Sequence, residues 1–171
     1  LIYQDNYIIN WDPKLQSAIS DAEVDHEEVQ GNFYHIHYKV KDSNALLEVA
    51  TTRPETLFGD TAVAVNPNDD RFEHLIGKKA IVPICNREVT IVADTHVDME
   101  KGTGCLKVTP GHDFNDYEIG KRHELEIMNI LNKDGTLNDN AEAVKGLTAK
   151  EARKKTVELL EELGQLVKVE A

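Results

Sequence analysis

Two polar stretches carry more reactive side chains than a folded core needs. In Lys107-Val108-Thr109-Pro110-Gly111-His112-Asp113-Phe114-Asn115-Asp116-Tyr117, Lys107 and Thr109 stand two apart on an extended segment, so both point to one face. A lysine on a face that would otherwise be apolar needs a reason. Pro110-Gly111 turns the chain, and a helix is expected to start near Asp113–Asn115. Asp116 then lies in the first turn, where backbone amides favour an ionised carboxylate, a good receptor for an ammonium group. Asp113 has two readings. It caps the helix with Asp116 as its capping-box partner, or Asn115 caps with Glu118 and Asp113 is left for other work.

The second stretch is Thr51-Thr52-Arg53-Pro54-Glu55-Thr56, which ends an apolar strand and shows hydroxyls, a guanidinium and a carboxylate. Pro54 disfavours helical backbone at Arg53. A guanidinium there suits a phosphate or carboxylate, unless Arg53 simply pairs with Glu55 or Asp60. Gly102-Thr103-Gly104 allows a tight turn or a close approach to a ligand, but without a third glycine it is no dinucleotide fingerprint. The seven histidines match no recognised ligand spacing, so no metal site is expected. No G-x-S-x-G elbow is present, and neither Cys85 nor Cys105 sits in a reactive context.

These residues need strands to hold them. His35–Val40 alternates polar and apolar, Asp42-Ser43-Asn44 has turn chemistry, and Ala45–Ala50 follows as a strand. Thr61–Val65, Ala80–Ile84, Val89–Ala93, Cys105–Thr109 and Ile127–Leu131 read as further strands. The fold class expected is mainly β, a β-barrel core decorated with a few short α-helices. One helix lies within Asn115–His123. The other covers Ala149–Leu163, with Thr148 and Glu151 as a capping box, Gly164 as the C-terminal cap, and Ala149, Ala152, Thr156, Leu160 and Leu163 as its buried stripe. Residues 1–25 read as irregular, with a turn at Trp11-Asp12-Pro13 and a short helix over Lys14–Ser20.

The chain has 171 residues, of which 40% are hydrophobic and 29% charged, within the range of ordinary globular proteins. No apolar run is long enough to span a membrane. The net charge of −12 repels a phosphate backbone and excludes a general nucleic-acid binder, DNA included. Two cysteines without a C-x-x-C pair suggest buried, reduced thiols in a cytoplasmic protein. The chain opens at Leu1 without a secretory leader, which reads as a piece of a longer protein.

The runs TTRPETLFGDTAVAVNP at 51–67, IVAD at 91–94 and GTGCLKVTPGHDFNDYEIGKRH at 102–123 closely resemble the valyl-tRNA synthetase family, in its inserted editing domain. The likeness runs from Asn10–Gln16 through the final helix. Lys107 with Asp113 resembles the valyl version, where isoleucyl relatives typically carry histidine and glycine. Gly111 stands where valyl enzymes more often have alanine, which would leave the backbone freer. The resemblance implies a single editing domain over 1–171, with 1–25 and 148–171 flanking it near the junction with a catalytic domain. The adenylate-forming H-I-G-H and K-M-S-K-S motifs are absent, so no cofactor is expected here, ATP belonging to the catalytic domain.

The activity implied is hydrolysis of threonine wrongly esterified to valine tRNA, by a positioned water, with threonyl-adenylate as a further candidate substrate. Lys107 and Asp113 would read the threonine hydroxyl and Asp116 would anchor the α-ammonium. Thr51, Thr52, Arg53 and Thr56 would hold the terminal adenosine and ester end, with Gly102, Thr103, Gly104, Thr109 and His112 also lining the substrate site. The implied partners are the tRNA 3′ end and the remainder of the synthetase. The rival readings are a non-catalytic module that binds the tRNA end, or a free-standing trans-editing hydrolase.

Overall fold

The structure is a computed structural model that describes residues 31–171 and the backbone of 10–12 and 17–19. The segments Asn10–Asp12 (β1) and Ser17–Ile19 (β2) form an antiparallel pair. The short helix expected over Lys14–Ser20 is therefore replaced by strand at Ser17–Ile19, and the turn expected at Trp11-Asp12 by strand as well. So short a segment does not sustain a helix without strong caps. The rest of residues 1–25 lies outside the described residues.

Strands β3 (Phe33–Val40) and β4 (Leu46–Thr51) form the expected hairpin around the Asp42–Asn44 turn. Its alternation is used as read: Ile36, Tyr38, Leu47 and Val49 are fully buried, with Ile36 opposite Val49 and Tyr38 opposite Leu47. The remaining strands are β5 (Ala62–Val65), β6 (Lys79–Ile81), β7 (Glu88–Ala93), β8 (Cys105–Val108) and β9 (Leu166–Glu170). They run β4-β3-β6-β7-β5-β8, with β9 beside β3, and only the β5–β7 pair is parallel. The outer strands β4 and β8 lie against each other, so the mixed sheet is a nearly closed barrel with one seam.

Strand β5 is buried on both faces. Its valines enter the main core, while Ala62 and Ala64 join a smaller cluster with Val108 and Ile119. The small alanines leave room outside the barrel for α1 (Phe114–Arg122), which presents Ile119 to them. The helix α2 (Ala149–Glu162) has the expected capping box, Thr148 accepting from the Glu151 amide and Glu151 from the Thr148 amide. Gly164 closes it, as expected, and β9 follows. The buried stripe is shorter than expected. Ala152, Thr156 and Leu160 are buried, but Ala149 is exposed in the first turn and Leu163 is 55% exposed beyond the last.

Two further expectations change. Ile127–Leu131 makes one isolated bridge, Leu131 with Leu137, because the Ile130 amide donates to a histidine ring and not to a strand. The Ala80–Ile84 strand stops at Ile81, since Val82 already bonds Arg87 across a tight turn and Ile84 has φ of +69°. Cys85 is exposed at that turn, against the expectation of burial, whereas Cys105 is buried and burial pushes its thiol up to about 12.

Candidate active site at the barrel seam

The seam holds a cleft of about 210 Å³. From the end of β4 it is lined by Thr51, Thr52, Arg53 and Thr56, and from β8 and its continuation by Lys107, Thr109, His112, Asp113 and Asp116. Two stretches far apart in sequence thus meet because β4 and β8 are the strands that flank the seam. Gly102, Thr103 and Gly104 are not in this cleft. They line an adjoining cavity of about 300 Å³ that shares Phe33, Ala50 and Leu106 with the first. Gly104 has φ of +80°, and a Cβ there would stand 2.5 Å from Arg71 Nη2.

Arg53 is held out of helical backbone before Pro54, at φ −129° and ψ 70°, in line with its sequence position. Neither carboxylate suggested as its partner takes it. Glu55 is bound at 2.9 and 3.0 Å by Arg153 of α2, Asp60 by Lys107, and Arg53 Nη1 donates to the His112 carbonyl at 2.9 Å. The guanidinium is exposed at the rim.

Lys107 and Thr109 do share a face, 2.7 Å apart from Nζ to Oγ1. The reason for the buried lysine is Asp60, fully buried and 2.9 Å from Nζ. The sequence offers Asp60 only as a possible mate for Arg53. Lys107 also donates to Thr56 at 2.8 Å, so its three N–H groups have three acceptors.

Asp113 is the helix cap: its side chain accepts from the Asp116 amide at 3.0 Å. It remains exposed and edges the cleft. There is no capping box, because the Asp116 carboxylate turns inward and accepts from the Thr109 amide at 2.9 Å. Burial raises Asp116 to about 6, against the Thr109 bond, with Asp113 and Asp60 adding to the rise. His112 is pushed down to about 4, chiefly by burial and then by Arg53 and Lys107. Its Nε2 accepts from the Ile130 amide at 3.0 Å, so the ring pins segment 128–130 and is no proton carrier at neutral pH. An alanine Cβ at Gly111 would stand 2.5 Å from the Met128 carbonyl oxygen, so glycine here permits close packing, a constraint the resemblance did not suggest.

The cleft is therefore polarised. Buried acceptors, above all Asp116, lie on its floor and the Arg53 cation stands at its rim. A ligand with an ammonium at one end and an electron-rich group at the other fits it. Among the described residues, no group of three or more His, Cys, Asp or Glu side chains could hold a metal ion.

Comparison with known proteins fits this geometry. The model of the leucyl-tRNA synthetase editing domain matches residues 73–161, more than half of the chain. The chain belongs to this family of aminoacyl-tRNA synthetase editing domains. Its sequence is of the valyl kind: it is 57% identical to valine–tRNA ligase of Clostridium tetani (strain Massachusetts / E88) over 99% of the chain, and 55% identical to that of Bacillus subtilis (strain 168) over 99%. It spans only 19% of the length of either relative. The fold matches GlLeuRS-CP1, with TM-score 0.62 and 15% identity over 82% of this chain and 99% of that one. It also matches LeuRS of Agrobacterium radiobacter K84 in complex with tRNA and LeuAMS, with TM-score 0.62 and 20% identity over 82% of this chain and 20% of that one.

Proposed function

We propose that residues 1–171 are the editing domain of a valine–tRNA ligase and hydrolyse threonine wrongly esterified to valine tRNA. The observation that carries this reading is the polarised cleft, with the buried Asp116 on its floor and Arg53 at its rim. The Asp116 carboxylate receives the α-ammonium of the amino acid. Arg53, Thr51 and Thr52 face the ester and the terminal adenosine. Lys107, Thr109 and Asp113 surround the threonine side chain, whose hydroxyl finds acceptors where valine offers only methyls. An apolar pocket rejects threonine poorly against valine, and valyl-tRNA synthetase is itself the standard worked example of discrimination that needs a second sieve.

In the reaction a water oxygen bonds to the ester carbonyl carbon. The bond to the ribose oxygen breaks, that oxygen takes a proton, and free threonine leaves. Orientation and the fixed charges of the floor lower the barrier, with no covalent nucleophile. The partners are the charged 3′ end of the tRNA and the remainder of the synthetase, in the cytoplasm; no helix among the described residues is long and apolar enough to cross a membrane.

The test is ester loss from threonyl-tRNA and valyl-tRNA, both on valine tRNA, in a full-length valine–tRNA ligase carrying this sequence. Selective loss of threonine supports the reading. Binding of the tRNA end without ester loss would replace it with a non-catalytic module.

A further inference from the structure

The deepest polar group at the seam touches neither cleft. Asp60 is fully buried and accepts from Tyr38, from the Thr109 hydroxyl at 2.7 Å and from Lys107 at 2.9 Å. Burial and Asp60 hold the Tyr38 phenol well above its usual range, so it stays a donor. The bonds fix every proton in this wall. The Thr109 hydroxyl hydrogen points to Asp60, and the Thr56 hydroxyl hydrogen to the Arg53 carbonyl at 2.8 Å. All three Lys107 hydrogens are used inside the wall. What Thr56 and Thr109 can still offer the cleft is oxygen lone pairs.

We infer that Asp60 is the residue that sets substrate specificity at one remove. It turns the Thr109 hydroxyl and the Lys107 ammonium inward, so that the floor presents only acceptors and selects a side chain that donates a hydrogen bond. The inference rests on the reading above. Asp60 is a positioning residue, since it acts through Thr109 and Lys107. It also opposes the Lys107 charge, which would otherwise repel the substrate ammonium from Asp116.

The experiment measures kcat and KM for threonyl-tRNA and valyl-tRNA in the full-length synthetase. The wild-type rate on threonyl-tRNA is read first; its absence overturns the editing reading and this inference with it. With activity present, Asp60→Ala removes the acceptor and frees the Thr109 hydroxyl. The ratio of threonyl to valyl kcat/KM is expected to fall about tenfold, the worth of one hydrogen bond, and KM to rise for both substrates. General structural damage lowers both rates alike and leaves the ratio unchanged, which overturns the inference. Asp60→Ala strips a buried lysine of its partner and can fail to fold. Thr109→Val keeps the ion pair and removes only the hydroxyl that Asp60 aims. The same fall in ratio is expected, and an unchanged ratio overturns the inference.

Discussion

Arg153 of α2 grips Glu55 with two hydrogen bonds, at 2.9 and 3.0 Å, across 98 positions of sequence. Glu55 is 3% exposed and sits in the six-residue 3-10 turn Pro54–Gly59 that follows Arg53. The last helix thereby holds the cleft rim from behind.

The pair is asymmetric, and so are its variants. Arg153→Ala leaves a buried carboxylate without its cation and is expected to cost about 3 kcal/mol. Glu55→Ala releases a half-buried guanidinium that water can solvate, and should cost less. Urea denaturation of the two variants measures the order, and equal losses would contradict it.

Under the proposed function, Asp116 links activity to pH. Folded Asp116 keeps its proton up to about 6, against 3.8 for the free group. The folded state thus binds more protons between these values, so acidification through that window stabilises the fold and ionisation costs about 3 kcal/mol above it. Asp116→Asn is expected to gain stability on the wild type as pH rises from 4 to 6, while losing threonyl-tRNA hydrolysis. Thermal melts across that range, beside deacylation assays, check both. A stability gap that does not change with pH would remove the buried charge as its cause.

His112 has the opposite sign. Its folded value is lowered from 6.5 to about 4, so the unfolded chain binds the extra proton and stability is lost as pH falls through that window. His112→Asn should flatten this loss and weaken the hold on Ile130. Hydrogen exchange at the Ile130 amide reads the second effect directly.

How much of this was legible follows from the range of each interaction. Period-two alternation revealed β3 and β4, and local capping chemistry revealed α2, because both are set within a few residues. The convergence of Arg53, Lys107, Thr109 and Asp116 was approachable through their strand ends and through the family resemblance. Asp60, Tyr38 and Arg153 were not, since their partners are distant in sequence and no local pattern encodes them. Asp113 shows the converse: the sequence allowed two caps and favoured Asp113, which is the cap, while Asp116 packs onto Thr109.

Gly104→Ala places a side chain at φ +80° and against Arg71. It is expected to cost about 1–2 kcal/mol and to disturb the second cavity before the first. Chemical-shift changes centred on Leu106 and Lys107 but absent from residues 99–104 would contradict that order.

Hydrolysis is expected to continue unchanged after treatment with EDTA, since the proposed mechanism relies on orientation and fixed charge alone. Loss of activity that zinc restores would overturn this.

The pairing of β3 with β9 has a mechanical consequence. Phe33 opens β3 and faces Glu170 at the end of β9, in antiparallel register. Tension applied at these two points loads the ladder as a zipper and peels it bond by bond, a weaker geometry than shear. Strand β4 lies on the opposite edge of β3, so the first slack is taken up by β9, and because Phe33 lines both cavities the load reaches the cleft wall as β9 peels away.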